Sequence, residues 1–225
     1  YGKLPELTGE NRYETFISRF TSDSTKIEGN TLTLRETAGL LFDRITPSSK
    51  ELREINEVIN HKEAFDHLLC YEGDISRKFI LKLHELAIRD TLPEDLDGEI
   101  GRYRSLQVYL RGVDWIPPAP EDVSKDMKEL LSWYTRNREK VHPLVLASYF
   151  HVGFETVHPF VDGNGRVGRL LLNFILHKHG YPMVNIPAIR RFEYYEHLEK
   201  GQKDGNLRPF VRFIFELMKE TEIIL

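Results

Sequence analysis

The twelve residues from His158 to Arg169 bring together the side-chain types that chemistry on a phosphate group requires. His158 is a candidate base, because an imidazole titrates near neutral pH. Asp162 is a carboxylate, the kind of oxygen ligand that Mg²⁺ binds in proteins. Arg166 and Arg169 lie one helical turn apart, so both guanidinium groups can reach a single polyphosphate. The spacing predicts an anion-binding site with acid–base chemistry.

An apolar run follows this stretch directly. Leu170–Leu176 predicts a helix, so the preceding loop ends at a helix N-terminus. Such a terminus attracts anions through its free N–H groups and its dipole. We expect the backbone of Gly163, Asn164 and Gly165, together with the Asn164 amide, to form a nest for the anion.

Each of these residues also has an ordinary structural explanation. A histidine before proline is most often structural, an aspartate in a glycine-rich turn usually forms an Asx turn, and two arginines at helical spacing are usually a solvated face. Only their joint occurrence at fixed spacing favours a functional site. His151, seven residues before His158, is expected to be structural, because no cysteine or carboxylate shows zinc-ligand spacing around the pair.

The composition is ordinary for a globular protein, with 225 residues and a formal net charge of −4. This length supports one substantial core. Basic residues are scattered and no run approaches about 18 apolar residues, so neither nucleic acid nor a membrane is an expected partner. The N-terminus lacks a signal-peptide pattern, and the cytoplasm is the expected compartment unless a targeting segment has been trimmed. Cys70, the one cysteine, is expected to be a buried thiol.

Most of the sequence has helical periodicity. Apolar residues recur at helical spacing within 13–20, 55–69 and 79–87. Further helices are predicted over Asp122–Thr135, Pro143–Thr156, Gly165–His179, Phe192–Gln202 and Arg208–Glu220.

Capping residues mark several predicted helix starts. Thr33 with Glu36, and Ser48 with Glu51, have the spacing of a capping box. Asp74 is a candidate N-cap for the helix that follows it.

One segment differs from the helical pattern. Arg104–Leu110 alternates in character and is followed by a turn signal near Gly112. We therefore predict one small β-hairpin in a mostly α-helical domain without repeats or an obvious linker.

The stretch from His158 to Arg169 matches the full signature of the Fic-domain family, HPFx[D/E]GNGRxxR, at every fixed position. The chain resembles this family from its first helix to about Glu220. The resemblance implies an all-α Fic fold, a helical bundle around a central motif-bearing helix pair, with the hairpin as a small β flap. It further implies a single domain over 1–225, with an inhibitory helix at about 10–29 and a core at about 75–220.

Family members of this pattern transfer AMP from ATP to a hydroxyl of a target protein, here a serine, threonine or tyrosine side chain. Such a transfer depends on positioning and charge neutralisation. His158 would be the base for the attacking hydroxyl, and Asp162 would hold a Mg²⁺ between the α- and β-phosphates. By the resemblance, Arg169 would hold the γ-phosphate and Arg166 the β-side oxygens.

A second motif resembles an inhibitor built into the chain. Ser24–Asn30 matches the family pattern [S/T]xxxE[G/N], in the position of the class with an N-terminal inhibitory helix. We predict that Glu28 forms a bidentate ion pair with Arg169 and misplaces the phosphates of ATP. Gly29 would end the helix, and Ser24 would fix the helix rather than contact nucleotide. Taken alone, the pattern could simply end a surface helix.

Weaker signals concern the nucleoside and the target. Asn173, Tyr194 and Tyr195 fall where the family often lines its adenine pocket, although tyrosines on a helix are more often packing residues. The hairpin would dock an extended target segment by adding a strand at its edge. The residues nominated for this docking are Gln107, Val108, Tyr109 and Leu110.

Alternatives to AMP transfer remain open. The same fold could transfer another nucleotide or phosphoester, or chiefly remove AMP, with Glu28 orienting a water. The chain could also be a non-catalytic nucleotide-binding interaction module, although an intact His158 argues against this. The expected partners are a target protein, the chain itself through self-modification, and further copies in a homo-oligomer.

Overall fold

A computed structural model describes residues 7–110, 112 and 115–224 of the chain, and the side chains between 12 and 220 within those ranges. This part contains nine α-helices and two short 3-10 helices. The α-helices are α1 (Leu7–Ile27), α2 (Leu34–Phe42), α3 (Leu52–Cys70), α4 (Arg77–Ile88), α5 (Pro120–Asn137), α6 (Pro143–Val157), α7 (Asn164–Lys178), α8 (Arg191–Asp204) and α9 (Arg208–Ile224). The 3-10 helices are Glu94–Glu99 and Ala188–Arg190.

Helix α7 is the centre of the bundle. Every residue from Arg166 to Leu176 is buried, which a helix achieves only when other elements surround it. Helices α1, α3, α4 and α6 all pack against it. The predicted all-α fold around a central motif-bearing helix pair, α6 and α7, is therefore confirmed. No helix in the described part of the chain is long and apolar enough to cross a membrane.

One of the two predicted capping boxes is present. Thr33 Oγ1 accepts the Glu36 N–H at 3.2 Å, and the Thr33 N–H donates to Glu36 Oε2 at 2.7 Å. The box predicted at Ser48 is wrong. Helix α3 begins later, and the Glu51 N–H donates to Glu54 Oε2 at 3.4 Å.

The N-cap predicted at Asp74 is also wrong. Ser76 caps α4, and its hydroxyl accepts the Phe79 N–H at 3.2 Å. The Asp74 carboxylate has a different partner, the Tyr134 hydroxyl at 2.8 Å. Its side chain therefore ties α5 to the start of α4.

Cys70 is exposed, so its predicted burial is wrong. It is the last residue of α3, and the last fully buried residue of that helix is Leu68. Residues two positions apart lie on different faces of a helix, so Leu68 faces the core and Cys70 faces solvent.

The segment predicted as a β-hairpin has no strand ladder among its described residues. Gly112 has φ +79°, in agreement with a turn there, and residues 111, 113 and 114 lie outside the described part. Side chains join the two arms: Gln107 Nε2 donates to Pro117 O at 3.1 Å, and Arg104 Nη2 to Pro118 O at 2.5 Å. Because neither proline has an N–H to donate to a ladder, the strand pairing that the sequence predicted does not form here.

Close packing of α6 and α7 generates a stability prediction at Gly168. A methyl group there would overlap Glu155 Oε1 and lie 3.1 Å from the His151 ring, and both side chains are buried. We expect Gly168→Ala to lower the free energy of unfolding by about 1–3 kcal/mol. Gly39→Ala in α2 is the matched control, because its methyl would meet Ile45 at an ordinary 3.8 Å. Urea denaturation compares the two, and equal stabilities would contradict the prediction.

Candidate active site

The loop of residues 158–163 joins α6 to α7 and has a left-handed residue at each end. His158 ends α6 with φ +48°, and its N–H donates to Phe154 O at 2.9 Å. Gly163 precedes α7 with φ +81°, a conformation that favours glycine. A Cβ on Gly163 would also lie only 2.5 Å from Ile88 Cγ2. The loop therefore holds its side chains in one fixed turn.

Asn164 closes this turn. Its Oδ1 accepts the Phe160 N–H at 2.9 Å, and its Nδ2 donates to Phe160 O at 2.8 Å. Because both ends of the buried amide are engaged, the amide has a different role from the predicted one in an anion nest. What remains for an anion is the backbone, since the first N–H groups of a helix have no partner within it.

His84 of α4 packs against this turn and holds it by a hydrogen bond. Its Nδ1 accepts the Gly101 N–H at 3.0 Å, so Nε2 carries the proton and donates to Asp162 O at 3.1 Å. The ring stacks on Phe160 with centroids 3.6 Å apart. Burial lowers the pKa of His84 to about 4, so the neutral ring persists at neutral pH.

Asp162 is an ionised carboxylate at the rim of the site. Its Oδ1 lies 3.2 Å from Arg166 Nη2, and its Oδ2 lies 3.7 Å from Arg53 Nη2. Burial alone would raise the pKa of Asp162, but Arg166 and the Gly163 N–H hold that pKa below its usual range. About a third of the side chain is exposed, so the carboxylate can still bind a metal ion.

The His158 imidazole is partly buried. Its side chain is 18% exposed, and Nδ1 faces Glu155 Oε2 at 3.7 Å. Burial lowers the pKa of His158 to about 4, so the ring is a neutral base at neutral pH. Since Nδ1 faces Glu155 in α6, Nε2 is the atom left for a substrate proton.

Arg169 is almost fully buried and its partners come from α1. Its Nη2 lies 2.7 Å from Glu28 Oε1 and donates to Ser24 O at 2.8 Å, while its Nε donates to Ser24 Oγ at 3.0 Å. The predicted ion pair is present, but through one carboxylate oxygen rather than two. Burial alone would lower the pKa of Arg169, but the Glu28 carboxylate raises that pKa above its ordinary value.

The end of α1 sets the position of Glu28. The Asn30 N–H donates to Thr25 O at 3.1 Å and the Gly29 N–H to Lys26 O at 3.0 Å, the two bonds of a Schellman motif. Gly29 has φ +106°, which this ending requires. Gly29 therefore ends the helix as predicted, and Glu28 is the last residue before the chain reverses.

The Glu28 carboxylate lies at the N-terminus of α7. A Cβ on Gly165 would overlap Glu28 Oε1 and come within 2.8 Å of Arg169 Nη1. A carboxylate thus occupies a position beside the first turn of α7, where the free N–H groups and the helix dipole favour an anion.

The weaker nucleoside-pocket residues lie close to this site, but most are engaged. Asn173 binds the backbone of Val184 through both amide atoms, at 2.7 and 3.0 Å. Tyr194 is buried, and its hydroxyl lies 2.8 Å from His151 Nε2. Tyr195 is 40% exposed beside the end of α1, where its hydroxyl reaches Ile27 O at 3.4 Å. Of the two predicted tyrosines, Tyr195 is the one whose ring is accessible to a nucleoside.

Arg104 attaches the flap segment to the loop. Its N–H donates to Pro159 O at 2.8 Å, and its Nε donates to His158 O at 2.9 Å. Among the nominated docking residues, Tyr109 is 73% exposed, while Gln107 is held to Pro117 by its amide. Arg104 is therefore the residue that joins the flap segment to the backbone of the candidate base. Val108 and Leu110 are half-buried.

Several supporting residues were missed by the sequence reasoning, chiefly His84, Arg104 and Glu155. They lie 3 to 74 positions away from His158 and belong to no recognisable local pattern. The available signal was a polar residue on an otherwise apolar helix face, as for His84 among Ile80, Leu83 and Ala87. His151, expected to be structural, is buried and bound to Tyr194.

Comparison with known proteins decides the family. A profile of the Fic/DOC family matches residues 74–176. The solved structure of a Fic family protein from Desulfovibrio desulfuricans G20 is 31% identical, with a TM-score of 0.79 over 96% of this chain and 67% of that chain. The chain belongs to the Fic/DOC family.

Other relatives agree. The solved structure of Fic-1 from C. elegans is 34% identical, with a TM-score of 0.84 over 98% of this chain and 66% of that chain. A protein named protein adenylyltransferase Fic from Drosophila persimilis is 37% identical over 202 residues. That match covers 88% of this chain and 38% of the relative, so the chain spans about two fifths of the length of this curated relative.

Glu155 predicts a specific pH dependence of stability. Burial raises the pKa of Glu155 from 4.5 to about 8, so the native state keeps a proton that the unfolded state releases. This contribution is complete below about pH 4.5 and is lost as pH rises through about 8. We expect Glu155 to lower the free energy of unfolding by about 1 kcal/mol between about pH 7 and pH 8.5.

Glu155→Gln should flatten this slope, because the amide does not titrate. Histidines whose pKa burial has lowered are still partly protonated in the unfolded state near pH 7 and oppose this fall, but the parent and the variant share them, so the difference between the two slopes reports Glu155. Glu72→Gln, at an exposed position, is the matched control and should keep the slope of the parent. A Glu155→Gln slope equal to that of the parent in urea titrations would show that Glu155 is not the titrating group.

Proposed function

We propose that this chain is a protein adenylyltransferase domain that transfers AMP from ATP to a hydroxyl side chain of a target protein. Its membership of the Fic/DOC family and the name of its Drosophila relative support this activity. We further propose that α1 belongs to the same domain as the matched region, since Phe16, Ile17 and Phe20 lie in the same buried core.

The observation that carries the proposal is the position of the Glu28 carboxylate. It contacts Arg169 beside the N-terminus of α7, so the site already binds an anion in the way a phosphate would be bound. His158 and Asp162 belong to the loop that leads into the same helix. A base, a carboxylate and buried guanidinium groups around one anion position suit phosphoryl-group chemistry.

His158 would act as the base. The target hydroxyl attacks the α-phosphorus, an O–P bond forms, and the bond to the pyrophosphate oxygen breaks. The hydroxyl proton passes to Nε2, because Nδ1 faces Glu155. The lowered pKa of His158 keeps the ring neutral at neutral pH, and with the ring proton on Nδ1 the Nε2 lone pair can accept the hydroxyl proton.

Asp162 would hold the Mg²⁺. Its ionised, partly exposed carboxylate fits a hard divalent cation. When bound, the ion would neutralise charge that develops on the phosphates.

Glu28 would act as an inhibitor. Arg169 is the group that would hold the γ-phosphate, with Arg166 on the β-side oxygens, and the Glu28 carboxylate competes for the same donor. Transfer would therefore be slow until α1 moves or Glu28 is withdrawn. The exposed flap around Tyr109 would dock an extended target segment next to His158.

Glu28→Gly tests this function. We expect AMP incorporation from α-labelled ATP, into the chain itself or into proteins of an added lysate, to rise on the order of 10-fold, as expected when about 1.4 kcal/mol of competing interaction is removed. Adding His158→Ala to that variant should then lower the rate by about 10²–10⁴ through loss of the base.

Glu72→Gly is the matched control, because it removes an exposed glutamate far from the motif. It should behave as the parent. Nucleotide binding without incorporation in a folded Glu28→Gly protein would favour the non-catalytic interaction module. Mass spectrometry identifies an added AMP and its position.

A further inference from the structure

A buried carboxylate outside the motif contacts one of the two motif arginines. Glu57 lies on α3, in a part of the chain that the family profile does not match, and it is 6% exposed. Its Oε1 lies 3.9 Å from Arg166 Nη1, and the same oxygen accepts Arg53 Nε at 3.2 Å. A carboxylate buried to this extent needs such partners.

The contacts form a closed ring of alternating charge. Arg166 lies between Glu57 and Asp162, at 3.9 and 3.2 Å. Arg53 lies between the same two carboxylates, at 3.2 and 3.7 Å. Two cations and two anions thus fix one another, and α3 holds half of the ring.

The Arg166 guanidinium depends on this ring for its orientation. It is 1% exposed, and neither Nε nor Nη1 makes a hydrogen bond. Asp162 Oδ1 approaches Nη2 at 3.2 Å. Glu57 is the carboxylate on the Nη1 side, where its 3.9 Å contact is electrostatic rather than a hydrogen bond.

The other oxygen of Glu57 reaches the end of the inhibitory segment. Glu57 Oε2 accepts Asn30 Nδ2 at 2.9 Å, two residues beyond Glu28. One carboxylate therefore contacts both Arg166 and the turn that places Glu28.

We propose that Glu57 is a positioning residue that aims Arg166 at the β-phosphate of ATP and joins this arginine to the end of the inhibitory helix. The proposal rests on the proposed function for the identity of the nucleotide. Arg53 already offsets the charge of Glu57. Glu57 therefore affects nucleotide binding mainly by directing the Arg166 donors, and not by repelling the phosphates.

Nucleotide binding measured by calorimetry tests this role. In the Glu28→Gly background with Mg²⁺, Glu57→Gln should weaken binding of AMPCPP, an ATP analogue whose α,β-methylene bridge cannot be cleaved, on the order of 10-fold. Binding of AMP, which has no β-phosphate, should stay unchanged. A merely structural role would weaken both nucleotides alike.

Glu54→Gln is the matched control. Glu54 lies one turn earlier on α3 and accepts the Thr31 N–H at 2.7 Å, so it holds the same segment without contacting Arg166. It should leave the ratio of the two affinities unchanged. If Glu57→Gln does not fold, Glu57→Asp keeps the negative charge but moves it away from Arg166, and should weaken AMPCPP binding selectively to a smaller extent.

Three results would overturn the proposal: equal loss for both nucleotides, no loss for AMPCPP, or tighter AMPCPP binding, which would mean that Glu57 only repels phosphate. Binding needs no turnover, so these results are independent of whether AMP transfer occurs. The labelling experiment with Glu28→Gly tests the transfer separately.

Discussion

Two guanidinium groups buried at the centre of a helical bundle impose the main constraint on this structure. Arg166 and Arg169 are 1% and 2% exposed. Both lie on α7, against which α1, α3, α4 and α6 pack. A buried charge is tolerated only when it is paired. The loop before α7 supplies Asp162, α3 supplies Glu57 and α1 supplies Glu28, so charge compensation and helix packing use the same contacts.

Under the proposed function, inhibition and substrate binding would share one position. The Glu28 carboxylate pairs with Arg169, and a phosphate would pair with the same guanidinium group. Replacing one anion by another leaves the buried charge paired, so the exchange avoids the large cost of an unpaired guanidinium. The Schellman ending at Gly29 and the Asn30 amide hold the exchangeable group in place.

The sequence predicted the parts of the site that are local in the chain. The motif from His158 to Arg169, the helix after it and the Glu28–Arg169 pair all follow from spacing and from a family signature. The supports could not be predicted, because His84, Arg104 and Glu57 reach the loop only through tertiary packing. The Asn164 amide was misassigned for a related reason: a hydrogen bond to its own loop and one to a ligand look identical in sequence.

The most direct test is a pair of crystal structures, of the parent and of Glu28→Gly, each with Mg²⁺ and AMPCPP, the analogue that cannot be cleaved between the α- and β-phosphates. The account predicts that in the parent Glu28 stays on Arg169 and the γ-phosphate lies elsewhere, whereas in Glu28→Gly the γ-phosphate contacts Arg169. A parent structure in which the γ-phosphate binds Arg169 while the Glu28 ion pair is intact would contradict the claim that the two anions compete.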